Sequence, residues 1–437
     1  MTTMLRRDFL KQSASTAVAV GTISALSSSS VHAAANDQLA IAVIGVGGMG
    51  RSHLRALTAL KIARIVTLCD VDPKQSARAA ETVKSAIGQT PQTVVDFRTV
   101  LDDKSVDAVI IATPHHWHTP IALHAMLAGK DVYVEKPASH SFEESQLLLK
   151  AARKYQRVFQ HGTQMRSSAL LHAAREVLDT GILGPITMSR AWNIQGKRDL
   201  TPVADSEAPA GVDYDRWLGP APLRPFNIKR FHSTWRSFRD YGNGDFGDDG
   251  AHDLDLARWG LNANSLPVRI TAHGNNMFET GFREYPDNML VCFQYADGRV
   301  LSYEERVGFN YGQHGVDSSN VLYGTEGYMV FSRRGFFRCY LGRKEEPGPN
   351  SEKSGPLEDR VSTHVENFVS CVHSREQTKA DAEAAHHTCG LIHLGEIAFR
   401  TRTVLDFDPQ TEKITNSEEA QSMMAKHYRK PYELPTI

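Results

Sequence analysis

Gly45, Gly47 and Gly50 stand as G-x-G-x-x-G directly behind the apolar run Leu39 to Ile44, and the residues that follow give the spacing its meaning. A helical pattern through His53, Leu54, Leu57 and Leu60 comes next, then a second apolar run, Ile65 to Cys69, that ends at Asp70. Strand, glycine turn, helix, strand and acid in that order form a βαβ unit able to hold a dinucleotide. The first glycine permits a tight turn and the second lets the backbone approach a pyrophosphate. The third lets helix and strand pack closely, with the phosphates at the helix N-terminus. The turn residues Gly45, Val46, Gly47, Gly48, Met49 and Gly50 are therefore expected to bind the cofactor. A carboxylate at the end of the second strand accepts hydrogen bonds from a ribose hydroxyl and repels a 2′-phosphate, so Asp70 points to NAD. Lys74, one turn further on, leaves NADP open as the alternative.

The N-terminus reads as an address. Arg6-Arg7-Asp8-Phe9-Leu10-Lys11 precedes a mildly apolar stretch from Ala14 to Leu26 and small residues around Val31 to Ala33. Paired arginines followed by Phe-Leu-Lys match a twin-arginine export signal, and the apolar stretch is too short for a membrane-spanning helix. Residues 1–35 are read as that signal, which implies a periplasmic or extracytoplasmic protein without a membrane span once it is removed. Twin-arginine cargo crosses folded, and no nicotinamide pool lies outside the inner membrane. An exported protein of this kind is expected to hold its nucleotide tightly and regenerate it within a closed cycle. The formal charge is −1, and −3 without the signal, which suggests neither nucleic acid nor a charged membrane surface as partner. Five cysteines with no C-x-x-C pair indicate neither a zinc site nor a disulfide framework, and read as small buried residues.

About 400 residues remain, more than one ordinary core, so two domains are expected. Residues 36–161 alternate strands (39–44, 64–69, 93–96, 106–112, 131–134 and 158–161) with helices near 50–60, 73–86, 98–103, 118–128 and 141–155. That alternation is α/β, a doubly wound parallel Rossmann sheet. Over residues 162–437 strand-like runs follow one another at 186–194, 268–275, 288–295, 300–306, 319–324 and 327–332. They predict an α+β domain with a large, mainly antiparallel sheet. Helices are expected at 360–373 and 380–401, and surface loops at 197–211 and 341–357.

Glu135-Lys136-Pro137 follows the fifth strand, placing Lys136 at the carboxyl edge of the sheet, where ligands sit in open α/β folds. Downstream, Gly242-Asn243-Gly244-Asp245 runs into Asp248-Asp249-Gly250-Ala251-His252-Asp253-Leu254-Asp255. A helix beginning near Asp248 would put Asp248 and His252 on one face. The same residues equally suit Asp248 or Asp249 as an N-cap and His252 as a surface histidine.

Taken in order, Gly45-x-Gly47-x-x-Gly50, Glu135-Lys136-Pro137, Asp248-x-Gly250-x-His252-x-x-Asp255 and Gly324-Thr325-Glu326-Gly327 resemble the glucose–fructose oxidoreductase / inositol dehydrogenase (Gfo/Idh/MocA) family, over residues 38 to 405. The resemblance implies that Lys136, Asp248 and His252 line an active site. It also implies that Thr113, Pro114, His118, Glu135 and Lys136 lie near the nicotinamide. It further implies a Rossmann domain followed by an open-faced sheet that supports homo-oligomers, and some members carry twin-arginine signals. The residues support such chemistry unaided. Oxidising a carbinol needs a base for the hydroxyl proton, and His252 has a suitable intrinsic pKa. Lys136 can stabilise a developing alkoxide, with Asp248 orienting His252 or binding a sugar hydroxyl. No metal is required; His115, His116 and His118 read as neighbours of nucleotide or substrate. Gln164, Arg166, Trp192, Trp235, Arg236 and Tyr241 are candidate carbohydrate contacts by position and chemical type. Asp249 is an additional acid beside the motif. The expectation is an NAD(P)-dependent oxidoreductase acting on a sugar, sugar derivative or polyol. The alternative is a glycoside hydrolase or lyase working by transient oxidation and elimination; some glycosidase relatives depart from Glu-Lys-Pro, so its presence favours the former.

Overall fold

The computed structural model describes residues 38–196, 199–232, 234–277, 282–309, 311–351 and 359–437. The expected export signal at 1–35 lies outside them.

Six parallel strands, β1 (Leu39–Ile44), β2 (Ala63–Cys69), β3 (Gln92–Val94), β4 (Ala108–Ile111), β5 (Asp131–Val134) and β6 (Phe159–His161), pair in the order β3-β2-β1-β4-β5-β6. Helices α1 (Gly48–Leu60), α2 (Pro73–Ile87), α3 (Phe97–Asp102), α4 (His115–Leu127) and α5 (Phe142–Tyr155) connect them. Every residue of β1, Leu-Ala-Ile-Ala-Val-Ile, is buried, as a central strand covered on both faces demands. The strand order reverses between β1 and β4, which opens a crevice at the carboxyl ends of the strands.

The second sheet has ten strands. They are β7 (Ile186–Gln195), β8 (Arg269–Asn275), β9 (Asn288–Gln294), β10 (Val300–Val307), β11 (Ser318–Gly324), β12 (Gly327–Ser332), β13 (Phe336–Leu341), β14 (Glu346–Asn350), β15 (Leu405–Asp408) and β16 (Lys413–Ile414), in the order β14-β13-β12-β11-β7-β10-β9-β8-β15-β16. Among the described residues of this sheet, only β7 and β10 pair in parallel. Strands alternate: Met289, Val291 and Phe293 of β9 are buried, while Leu290 and Gln294 face outward. The buried face packs on α7 (Gly250–Gly260) and α9 (Ala382–Thr401) through Leu254, Ile392 and Ile397. Helix α8 (Arg360–Ser374) returns to the first sheet, laying Val365, Phe368 and Val369 against Leu54 and Leu57 of α1.

Four strands and helix α6 (Ala169–Asp179) were not legible as elements. The expected loop at 341–357 contains β14, Glu-Pro-Gly-Pro-Asn. Prolines are tolerated there because β14 is an edge strand that pairs on one side only. Cys69, Cys339, Cys371 and Cys389 are buried and Cys292 half-buried, all as free thiols. No described helix is long and apolar enough to cross a membrane.

Candidate active site

A cleft of about 710 Å³ runs along the carboxyl edge of the first sheet, from the glycine turn and Asp70 at one end to Lys136, Asp248 and His252 at the other. Two glycines of the turn have a steric reason, and each a different one. Gly45 has φ +83°, and a Cβ there would lie 2.6 Å from the Ala112 carbonyl oxygen. A Cβ on Gly50 would meet the Gly45 carbonyl oxygen, so only glycine lets α1 approach β1 this closely. Gly47 faces open space, which leaves its backbone accessible to a pyrophosphate. Gly48 and Met49 also line the cleft. Val46 differs from expectation: its side chain belongs to the core, and its N–H donates to Asp70 Oδ2 at 2.9 Å rather than facing a ligand.

Asp70 Oδ1 accepts from the Asp72 N–H at 2.9 Å, so backbone donors fix its carboxylate at the end of β2. Lys74 is exposed and is not part of the cleft wall. Burial pushes the Asp70 carboxyl up to about 6, with the N–H groups of Asp72 and Val46 opposing. Because this pKa is raised above the unfolded value, the carboxylate that would accept ribose hydroxyls is lost as pH falls through about 6. NADH affinity is accordingly expected to be flat above pH 7 and to weaken below 6. Asp70→Asn should remove that step, and titrating NADH fluorescence across pH checks it. A step of equal size in the variant would assign it to another group.

Helix α4 begins at His115, three residues earlier than expected, and sets three histidines on its first turn. The His115 Nδ1 accepts from the Asn243 N–H at 3.3 Å, so in the neutral ring Nε2 carries the proton and faces Asp248 Oδ1 at 3.4 Å. Burial pushes His115 down to about 3, which keeps it neutral. The ring nitrogens of His116 lie 3.0 Å from the Trp217 carbonyl oxygen and 3.3 Å from that of Tyr241, away from the cleft wall. His118 lines the cleft, yet Nδ1 sits 2.7 Å from the Pro137 carbonyl oxygen and Nε2 2.8 Å from that of Thr113. Its ring thus ties the Thr113-Pro114 turn to the end of β5 and has no nitrogen to spare for a ligand. The Thr113 hydroxyl is buried at the cleft without a hydrogen-bond partner among the described residues. An open glycine backbone, an anchored acid and an orphaned hydroxyl fit a bound dinucleotide. No described group of acids, histidines and cysteines has the arrangement of a metal site.

At the other end, Lys136 Nζ donates to the backbone oxygen and Oδ1 of Asp248, both at 2.9 Å. One ammonium proton is left for a ligand oxygen. Arg236 Nε contacts Asp248 Oδ2 at 2.7 Å, with its guanidinium 4.3 Å from the Trp235 ring centre. Burial alone would raise the Asp248 carboxyl, but Arg236 and Lys136 hold it well below the usual carboxylate range.

Helix α7 starts at Gly250, not near Asp248. Asp248 closes the preceding turn, Gly244–Gly247, with φ −81° and ψ −85°, and Asp249 occupies the N-cap position without a side-chain cap bond. Asp248 and His252 therefore do not share a helix face, and Asp248 holds Lys136 and Arg236 rather than hydrogen-bonding His252. The His252 ring, half-buried on the first turn of α7, accepts or donates no hydrogen bond among the described residues. Removal from water, then the charges of Lys136 and Arg333, push its pKa well below the ordinary imidazole value.

Glu135 is buried in the wall of the cleft. Its Oε1 meets His53 Nε2 at 2.8 Å and Gln164 Nε2 at 3.0 Å. Burial favours the neutral acid there, but His53 outweighs it and keeps the carboxyl low. Gln164 thus lines the cleft while holding Glu135. Trp235 and Arg236 also line it, whereas three other candidates do not. Arg166 is turned away and spent on Asp255, with Nε–Oδ2 and Nη2–Oδ1 both 2.7 Å. Tyr241 is fully buried against Trp217, and Trp192 in β7 packs with Val321 and Val330. Conversely, Arg333, in the turn between β12 and β13, and Arg360 line the cleft without having been singled out.

Residues 39–163 match the oxidoreductase family with an NAD-binding Rossmann fold, and residues 172–322 and 340–434 match its C-terminal alpha/beta domain. Levoglucosan dehydrogenase of Pseudarthrobacter phenanthrenivorans is 24% identical over 353 residues, 70% of this chain and 81% of that protein. A glycosyl hydrolase family 109 protein of Shewanella sp. is 35% identical over 125 residues, 28% of this chain and 27% of that protein. The solved structure of levoglucosan dehydrogenase in complex with NADH and levoglucosan shares the fold, with a TM-score of 0.66 at 20% identity over 84% of this chain and 99% of that one.

Proposed function

This chain belongs to the oxidoreductase family that joins an NAD-binding Rossmann fold to a C-terminal α/β domain, and from that premise we propose that it oxidises a secondary hydroxyl of a sugar, sugar derivative or polyol. The protein is an NAD-dependent enzyme, and bound NAD supplies the hydride acceptor. One observation carries the assignment of roles: His252 is an imidazole held neutral, with no hydrogen bond from the described protein, in the cleft beside Lys136. A neutral histidine takes the proton of the reacting hydroxyl. Lys136 directs its remaining N–H to the oxygen and stabilises the charge that develops there. Asp248 aims Lys136 rather than His252, since both of its contacts to Nζ are 2.9 Å. Gly47 and Asp70 hold the pyrophosphate and ribose ends of the nucleotide.

The Arg6-Arg7 signal supports export by the twin-arginine route with nucleotide already bound. The protein, recovered from the extracytoplasmic fraction, should release NAD(H) on acid denaturation and reduce it with a sugar or polyol. Arg6→Lys with Arg7→Lys should hold the chain in the cytoplasm. Protein without nicotinamide affinity would contradict the reading, and normal export of the variant would contradict the route. Leu290, 45% exposed on the sheet face that also carries the stacked Tyr328 and Tyr340 rings, supports a homo-oligomer through that face, testable by light scattering.

The second reading, a glycoside-cleaving enzyme that oxidises, eliminates and re-reduces, is favoured by the match to the family 109 glycosyl hydrolase. Release of aglycone from an aryl glycoside with no net NADH selects it over net oxidation.

A further inference from the structure

Asp249 and Arg333 flank the proposed base, and apart from the charge that Arg333 places near His252 they have no part in the chemistry assigned above. Asp249 Oδ2 accepts from Gln195 Nε2 at 2.6 Å, which pins the carboxylate to β7. Its Oδ1 lies 3.6 Å from Arg333 Nη2 and 3.8 Å from Lys136 Nζ, beyond a hydrogen bond to either. Arg333 is 9% exposed. Its Nε donates to Ser318 Oγ at 2.7 Å and lies 3.5 Å from Asp253 Oδ1, and its carbonyl accepts from Arg360 Nη1. Arg333 Nη2 nevertheless has no hydrogen-bond partner among the described residues. A buried guanidinium proton without an acceptor is costly; both Asp253 oxygens are taken by Asn193 and Ser318, and Asp249 Oδ1 stops just short of it at 3.6 Å.

One hydroxyl group closes both gaps, its oxygen accepting a hydrogen bond from Arg333 Nη2 and its O–H donating one to Asp249 Oδ1. Asp249 and Arg333 line the same cleft as Lys136 and His252. The 3.8 Å between Asp249 Oδ1 and Lys136 Nζ is a spacing that adjacent hydroxyls of one ring span. Asp249 already supplies the anion between the two cations, so a carboxylate on the ligand would meet it head-on.

We propose that Asp249 and Arg333 form a subsite for an uncharged hydroxyl on the carbon next to the one oxidised, so that the substrate is a neutral vicinal diol. This rests on the assignment of Lys136 and His252 to the oxidised carbinol. Strands β7 and β11 and helix α7 position the pair, which makes the subsite rigid enough to discriminate.

The test uses the full chain loaded with NADH and follows intrinsic tryptophan fluorescence during titration with D-glucose, myo-inositol, D-glucuronate and the 2-, 3- and 4-deoxy derivatives of glucose. Wild type should bind glucose or myo-inositol, and lose about tenfold to a hundredfold in affinity with a deoxy sugar that lacks the neighbouring hydroxyl. Asp249→Asn, which keeps an acceptor for Gln195, should bind parent and deoxy sugar alike while retaining nucleotide and melting temperature. Arg333→Lys should act the same way. The inference is overturned if all deoxy sugars bind like the parent, if Asp249→Asn weakens both equally, if glucuronate binds more tightly than glucose, or if nothing binds. Protein that reduces its nucleotide with a sugar yet ignores the neighbouring hydroxyl loses only this subsite. Protein that holds no nucleotide or oxidises no carbinol loses the reading beneath it.

Discussion

His252→Ala is expected to retain bound nucleotide and lose turnover by on the order of a hundredfold to ten-thousandfold, the usual worth of a positioned acid–base group. Its side chain touches neither the glycine turn nor Asp70, so nucleotide retention separates a chemical defect from a folding one. The pH profile is the sharper readout. Burial and the charges of Lys136 and Arg333 hold His252 well below 6.5, so the neutral, proton-accepting ring persists into acid where an ordinary histidine would be charged. The acid limb of kcat/KM should therefore fall below pH 6.5 in wild type and vanish in the variant. Lys136→Ala should lose turnover on a similar scale, but it also leaves Asp248 with Arg236 as its remaining close cation. A smaller side effect on stability is expected there. Full activity in His252→Ala would reduce His252 to a half-buried histidine of α7.

Arg166→Met should destabilise the protein by roughly 3–5 kcal/mol, because removing one partner of a buried ion pair strands the other charge. Asp255 is 1% exposed and loses both 2.7 Å guanidinium bonds, leaving Thr388 Oγ1 at 2.8 Å and Arg258 at 3.8 Å. The midpoint of urea unfolding reports the loss. Below the transition, KM for the sugar should stay near the wild-type value, since Arg166 does not line the cleft. A stable variant with a raised KM would instead make Arg166 a substrate contact.

These two residues show what the sequence could and could not convey. The glycine turn is a local backbone problem: Gly45 needs positive φ and Gly50 needs the absence of Cβ, and both demands are visible in the spacing. The parallel sheet is equally legible, since buried strands such as β1 are continuous apolar runs. Side-chain partners are not local. Arg166 and Tyr241 had suitable chemistry for a sugar, but Asp255, 89 residues away, and the Trp217 ring claim them. The spacing of Asp248 and His252 allows a shared helix face as readily as an N-cap, and α7 starts too late for the former because the backbone breaks at the Asp248 ψ of −85°. Arg333 lies in a hairpin turn whose second strand, β13, carried no clear period, so nothing marked the turn as facing the cleft. The proposed trio of Lys136, Asp248 and His252 stands out through its motifs; the residues that shape its surroundings emerge only with the tertiary contacts.

The central claim, that a carbinol hydrogen passes to the bound nicotinamide in a cleft where His252 takes the proton, is tested most directly by isotope transfer. The NAD-loaded protein is incubated with the carbon-deuterated form of the sugar or polyol it accepts, then denatured in acid, and the released nucleotide is weighed by mass spectrometry. Wild type should release nucleotide carrying one deuterium, and His252→Ala should release almost none in the same time. Substrate converted with the nucleotide unlabelled, or label transferred equally by the variant, would contradict the account.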